Sequence, residues 1–420
     1  MESSTLLQWL SYLERIHSKS IDLSLSRIIQ VAETIQIREF DCPVIVVGGT
    51  NGKGSCVHCL EAIYLSSGYR VGSYTSPHLH YFNERIKING QNVNDELLVA
   101  AFQEIEIKRK DISLTFFEFT TLAALLIFKS LQLDVIILEV GLGGRLDAVN
   151  IVEPDLSIIT SIDLDHTDWL GSNREAIGYE KAGIMRSNKS IICGDDDPPK
   201  SLLQRAKELN APLFQFNQHY GFENHSYNWT WFGLNHKISN LPPISIRHQN
   251  ASSSLMAIQL LAERLPVTSK AIMNGLKAIK IPGRFELWQK AVTCIFDVAH
   301  NPQAGRWLAE QLKNSLTPGK KIAVVGMLAD KDISQTLAPL LSIIDDWHPV
   351  TLNVARGADS KAIVNILTRQ GIKNWYNHDS VDLALQTIMN QQDFNKERDL
   401  IIIFGSFFTV AAAQKFISHI

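Results

Sequence analysis

From about residue 43 onward, short apolar runs rich in β-branched residues end at Gly or Asp and give way to stretches with helical spacing. Runs that are apolar throughout suit strands covered on both faces, and their alternation with helices marks a parallel sheet wrapped by helices. Val44–Val47, Val135–Val140, Leu156–Thr160 and Ser190–Cys193 are predicted as four such strands, with a helix over about 55–65. Ahead of them, Leu6, Trp9, Leu10 and Leu13 fall on one face of a helix. After Pro198 the pattern loosens, and 221–246, rich in Asn and aromatics, reads as irregular or antiparallel strand segments before a helix over about 250–264. Lys280-Ile-Pro-Gly-Arg284 places Pro and Gly between patterned regions, as a domain boundary does. The theme then restarts. Val292–Phe296, Ile322–Val325, Val350–Val354 and Leu400–Phe404 are strand candidates, alternating with helices over 303–316 and 360–369. The expected architecture is α/β: a mostly parallel, P-loop-type sheet domain over 1–281 and a smaller Rossmann-like α/β domain over 282–420.

Composition narrows the class without naming a partner. A length of 420 residues exceeds what one core usually fills, which agrees with two domains. The net charge of −3 gives no basic excess for nucleic acid. The most apolar stretch, Thr121 to Val140, is broken by Lys129 and Asp134 and falls short of a membrane span. The N-terminus lacks a signal-peptide pattern, and five cysteines in so long a chain suit a reducing cytoplasm. Cys56-Val-His-Cys59 has redox or half-zinc spacing, but no second Cys pair completes a tetrahedral site, so helix packing is the simpler reading.

In parallel sheets, ligands bind beyond the carboxyl ends of the strands. The first such position holds Gly49-Thr-Asn-Gly-Lys-Gly-Ser55, a glycine-rich turn between strand and helix. Its glycines let backbone N–H groups crowd a phosphate, and Lys53 can bridge β- and γ-phosphates. Gly54, interposed between Lys53 and Ser55, departs from the general phosphate-loop spacing. ATP chemistry calls for Mg²⁺, and the strand ends supply candidates: Glu139 before Gly141-Leu-Gly-Gly-Arg-Leu-Asp147, then Asp163, Asp165 and His166, with a hydroxyl from Ser76.

Taken with Ser76-Pro-His-Leu79, Asn83-Glu-Arg-Ile86, Glu180-Lys-Ala-Gly-Ile184, Pro282-Gly-Arg284, Asp297-Val-Ala-His-Asn-Pro302, Asp330-Lys-Asp332 and Gly405-Ser-Phe407, these motifs run in order over nearly the whole chain. The chain resembles the bacterial bifunctional dihydrofolate synthase/folylpolyglutamate synthases of the Mur-ligase superfamily. The resemblance implies an ATP-dependent ligase that forms an acyl phosphate on dihydropteroate or a reduced folate and joins it to L-glutamate. It implies ATP contacts at Thr50, Asn51, Gly52, Lys53, Gly54, Ser55, Asn250, Arg284 and Asp297. It also implies Mg²⁺, as two ions, held by Ser76, Glu139, His166 and a Lys181 carbamate formed from CO₂. Such a carbamate needs a lysine whose pKa is lowered.

For the pterin, the resemblance points to Asp22, Leu23 and Ser24, to Thr115 and Phe117, and to Arg145, Leu146 and Asp147. His300 is a candidate proton acceptor or glutamate contact. The partners expected are these small molecules, with no nucleic acid or membrane, for a cytoplasmic monomer closing its two domains over the site. Val149 and Phe408 depart from the family's usual Thr and polar residue. The alternatives are a monofunctional folylpolyglutamate synthase, a cell-wall Mur ligase, and a nucleotide-binding regulatory module without synthetase activity. The Asp22 loop and the short lead before the phosphate loop speak against the second. The filled Lys181 and Asp297 positions speak against the third.

Overall fold

The computed structural model describes residues 4–19, 21–314 and 318–419. The chain divides into two compact units, Met1–Ile279 and Lys280–Ile420. In the first, eight strands form one sheet in the order β4-β3-β2-β5-β1-β6-β7-β8. These are β1 (Val44–Gly48), β2 (Val71–Tyr74), β3 (Ile86–Ile88), β4 (Gln91–Asn92), β5 (Val135–Glu139), β6 (Leu156–Ile159), β7 (Ser190–Cys193) and β8 (Leu213–Gln215). β1 lies between β5 and β6 and is parallel to both, with Val47 opposite Glu139; β2, β7 and β8 extend the parallel part. Only β3 and β4, at one edge, run antiparallel. The carboxyl ends of β1, β2, β5, β6 and β7 therefore open on the same edge of the sheet. β1 and β5 are buried along their whole length, which explains their unbroken apolar runs.

The helix Lys53–Ser66 follows β1 and packs against the helices His248–Leu260 and Ser269–Ala278 as well as against the sheet. Closeness is required there: a Cβ on Gly275 would lie 2.6 Å from the Ile63 Cα. Cys56 and Cys59 on this helix are buried free thiols whose pKa values burial raises, so they serve as small packing residues. The helix Phe116–Lys129 begins with a capping box between Thr115 and Glu118 and ends where the apolar stretch breaks before β5. Three antiparallel strands, β9 (Tyr220–Asn224), β10 (Trp229–Gly233) and β11 (His236–Leu241), form a small separate sheet in the same unit.

In the second unit the sheet order is β12-β13-β16-β14-β15, from β12 (Glu286–Gln289), β13 (Thr293–Asp297), β14 (Lys321–Val325), β15 (Asp346–Pro349) and β16 (Leu400–Phe404). β12 is antiparallel to β13, and the remaining pairs are parallel. Its core joins Ile295, Leu308, Val325, Trp347, Ile402 and Phe404.

One expected strand is misplaced. The run Val350–Val354 is not a strand; the pairing partner of β14 is Asp346–Pro349, which ends where the run begins. Asp346, His348 and Pro349 hide it from an apolar pattern, yet all four of its residues are buried, and the Pro stands at the last position of the strand. The helix expected over 303–316 is Pro302–Asn314, and residues 315 and 316 lie outside the described residues. No helix among the described residues is long and apolar enough to cross a membrane.

Candidate active site

The turn between β1 and the helix Lys53–Ser66 is shaped by backbone that only glycine adopts easily. Gly49 has φ +136°, and a Cβ there would lie 1.8 Å from Thr160 Oγ1; Gly52 has φ +93°, with the Asn250 side chain 2.4 Å from where its Cβ would be. Asn250 is thus seated directly against the loop. Gly52 caps the helix without a side-chain hydrogen bond, so the first N–H groups remain available for an anionic ligand. Lys53 folds back, donating to the carbonyls of Gly49 (3.1 Å) and Thr50 (3.3 Å).

Lys181, buried on the helix Arg174–Ala182, donates to the same Gly49 carbonyl at 2.8 Å. Burial, then repulsion from Lys53, lowers its pKa to about 7, partly opposed by Asp165 and Asp147. A substantial neutral fraction at physiological pH is what carbamate formation requires.

Glu139 ends β5 and is buried. Its Oε2 accepts from the Ser76 backbone N–H at 3.1 Å and lies 3.4 Å from the Cβ position of Gly54. The structure therefore brings Ser76, Glu139 and the phosphate loop together. His166 has φ +51°, and its Nε2 sits 4.0 Å from Asp165 Oδ1, the carboxylate that acts on Lys181. Among the described residues no three His, Cys, Asp or Glu side chains form a ready metal cluster. The candidate set does not need one, since it counts a serine hydroxyl and a modified lysine beside one carboxylate and one imidazole. A buried carboxylate such as Glu139 suits Mg²⁺, which prefers oxygen ligands.

Beside this lies the candidate pterin region. Asp22 accepts from His17 Nε2 (3.2 Å) and Arg27 (3.1 Å), and these partners, His17 foremost, hold its carboxyl below the usual range. The other arm of Arg27 reaches Glu118 at 3.0 Å, the residue that closes the capping box with Thr115. One guanidinium thus joins the Asp22 loop to the Thr115 turn. Leu23 is half-buried, and Ser24 Oγ is 2.9 Å from Ser26 Oγ. Phe117 stacks on Tyr74 at 6.1 Å between ring centroids and covers Gly141 so closely that a Cβ there would meet the ring at 2.5 Å.

Arg145 is paired with Glu180 (2.8 Å) and lies over the Tyr179 ring; Leu146 is half-buried. Asp147 is buried and caps the short turn Ala148–Ile151, accepting from the Leu142 and Val149 N–H groups, and burial still raises its pKa to about 6.

Residues without a role from sequence complete the region. Arg85, wedged against the rings of Phe82 and Phe116, donates to His78 Nδ1 at 2.9 Å, and burial, reinforced by Arg85, pushes the His78 pKa down to about 4. Glu84 gathers three successive backbone N–H groups, from Leu79 (2.7 Å), His80 (2.8 Å) and Tyr81 (2.8 Å). Both sit within quoted motifs, which is the only signal that could have found them.

In the second unit, Asp297 closes β13. Its Oδ2 accepts from Phe285 N and its Oδ1 from Ala299 N, both at 2.8 Å. Arg284 leans over the Phe407 ring at 5.6 Å, next to Gly283 at φ +68°. His300 Nδ1 lies 2.8 Å from the Val298 carbonyl, a contact that shapes its own loop.

The Mur ligase middle domain matches residues 47–257 and the Mur ligase glutamate ligase domain matches 283–407. The chain is 43% identical to the dihydrofolate synthase/folylpolyglutamate synthase of Escherichia coli over 99% of its own length and 96% of that protein. The Haemophilus influenzae protein of the same name is 42% identical, with 97% of each covered. The chain belongs to the dihydrofolate synthase/folylpolyglutamate synthase family of ATP-dependent ligases. Solved members share the architecture. E. coli FolC in complex with DHPP and ADP superposes with a TM-score of 0.94, at 43% identity, covering 99% of this chain and 98% of that one. A bifunctional folylpolyglutamate synthase/dihydrofolate synthase with Mn, AMPPNP and L-glutamate bound gives 0.92, at 42% identity, covering 100% and 99%.

Proposed function

We propose that this family member uses ATP to activate the carboxylate of dihydropteroate, or the γ-carboxylate of a reduced folate, and joins it to the amino group of L-glutamate. The observation that carries this reading is the convergence on the phosphate loop of two lysines at the Gly49 carbonyl and of the buried Glu139 against Gly54. Thr50 to Ser55 and Asn250 would cradle the nucleotide, and Arg284 and Asp297 are the further ATP contacts that the family resemblance implies. Swinging from the Gly49 carbonyl, Lys53 takes the β- and γ-phosphates as partner instead.

A substrate carboxylate oxygen bonds to the γ-phosphorus while the bond to the ADP oxygen breaks. The neutral amine of glutamate then attacks the acyl carbon, loses a proton, for which His300 is the candidate acceptor, and expels phosphate. Ser76, Glu139, His166 and carbamylated Lys181 would hold Mg²⁺, as two ions, which offsets the charge on the phosphates when bound. Asp22, Leu23, Ser24, Thr115, Phe117, Arg145, Leu146 and Asp147 would hold the pterin, Phe117 by stacking and Asp22 and Asp147 by accepting from its amino edge. On the same reading the enzyme works in the cytoplasm, as a monomer.

ADP release measured with glutamate plus dihydropteroate, plus a reduced folate, or plus a cell-wall precursor tests the reading. Turnover with both pterins and none with the precursor is expected. Turnover with the reduced folate alone would reduce the proposal to folylpolyglutamate synthesis, and none with either pterin would end it.

A further inference from the structure

Residues 161–163, just beyond β6, are gripped from two sides. On one side is the phosphate loop: the Thr50 N–H donates to the Ser161 carbonyl (2.6 Å), Ser161 Oγ to the Asn51 carbonyl (3.2 Å), and the Asp163 N–H to Thr50 Oγ1 (3.1 Å). On the other side, both backbone groups of Ile162 are taken by side chains of other elements. Its N–H donates to the Asp195 carboxylate, and its carbonyl accepts from Arg174 Nε at 2.9 Å.

Arg174 and Asp195 are themselves paired at 3.0 Å, and Arg174 also binds the Asp197 carboxylate (3.1 Å) and carbonyl (2.7 Å). Asp195 is buried just past β7. Arg174 is the first residue of the helix Arg174–Ala182, and Lys181 lies seven residues on, close to two turns along the same face. A single helix thus touches the β6 loop at its start and the Gly49 carbonyl near its end.

We infer that Arg174 and Asp195 are positioning residues for the ligase reaction, a clamp that fixes the loop leading to His166 and, through Thr50, Asn51 and Lys181, the phosphate loop. Neither reaches the reacting atoms. The inference rests on the reading that Lys181 and His166 belong to the metal and phosphate site. A planar fork is needed because Arg174 meets two carbonyls and two carboxylates at once, four acceptors spread around one plane, which the three N–H groups of a lysine cannot do.

Arg174→Lys and Asp195→Asn test it, with Glu175→Gln as control. Glu175, the next residue, instead holds the backbone N–H groups of Lys200 and Ser201, away from the loop. Three measurements are read beside Tm: binding of AMPPNP with Mn²⁺ by calorimetry, hydrogen exchange of 49–54 and 161–166 in the ligand-free protein, and kcat and KM.

Both clamp variants are expected to bind AMPPNP with Mn²⁺ roughly tenfold more weakly, to exchange faster in those two segments, and to lose roughly ten- to a hundredfold in kcat, with the glutamate KM unmoved. The control is expected to change Tm alone. Clamp variants that lose Tm but keep nucleotide affinity, exchange and kcat near wild type overturn the inference. If Asp195→Asn yields no folded protein, Arg174→Lys decides. Lys181→Ala is run alongside. Full activity there removes the site reading itself, whereas loss there with wild-type behaviour in Arg174→Lys removes only the clamp.

Discussion

Lys53 and Lys181 meet at one oxygen: the Gly49 carbonyl accepts from Lys53 Nζ at 3.1 Å and from Lys181 Nζ at 2.8 Å. Burial first, and then the charge of Lys53, makes Lys181 give up its proton more readily than an exposed lysine would. Lys181→Ala is therefore expected to lose most ligase activity, and short carboxylic acids added to the assay are expected to restore part of it by replacing the carbamate. Full activity without additive would take Lys181 out of the mechanism.

The same lysine makes stability depend on pH. Unfolded, it holds its proton to about 10.5; folded, it releases it at about 7, so the folded state binds fewer protons between those values and stability rises with pH across them. At about 1.4 kcal/mol per pKa unit, the cost is several kcal/mol below pH 7. Lys181→Met is expected to raise Tm of the ligand-free protein at pH 6.5 more than at pH 9. An equal gain at both would contradict the assignment.

A second titration sits on β15. His348 Nδ1 and His378 Nε2 are 2.9 Å apart, His348 Nε2 is buried without a partner, and burial holds the His348 pKa at about 3 and lowers that of His378. An unfolded histidine takes up its proton near 6.5, so the unfolded state binds more protons below that value and stability falls as pH drops from 6.5 toward 3. Urea midpoints at pH 7 and pH 5 are expected to differ less in His348→Phe than in the wild type.

Arg27 joins Asp22 to Glu118. Arg27→Met frees the Asp22 loop from the Thr115 turn, and the KM for dihydropteroate is expected to rise roughly tenfold, the scale of one charged hydrogen bond, with the KM for ATP near wild type. Equal changes in both constants would point to a general loss of structure.

The phosphate-loop glycines should differ in tolerance. Gly49→Ala places a methyl 1.8 Å from Thr160 Oγ1 and is expected to abolish nucleotide binding, whereas Gly54→Ala meets Glu139 only at 3.4 Å and is expected to keep the fold and lower kcat. Calorimetry with AMPPNP on both variants separates the cases.

The sequence made the sheet legible where strands are buried on both faces, as in Val44–Gly48 and Leu400–Phe404. It failed at Val71–Tyr74, where Gly72 and Ser73 interrupt the apolar run although every residue is buried, and at Asp346–Pro349, where burial is carried by a Trp between polar neighbours. The phosphate loop was readable because its glycines and lysine are consecutive. Arg27 and Glu118, 91 residues apart, and Arg174 and Asp195, 21 apart, were not, because an ion pair leaves no local pattern. Nor could motif order reveal that Lys53 and Lys181 share an acceptor.

Glu84 has one further effect. By collecting the N–H groups of Leu79, His80 and Tyr81, it gives the segment that follows Ser76 a fixed course in the ligand-free chain. Ordering a residue costs about 1–2 kcal/mol, and for this segment that cost is met once, when the protein folds. On the proposed ligase reading, successive rounds of glutamate addition would then exchange ligands past Ser76 without this segment having to be ordered again each time.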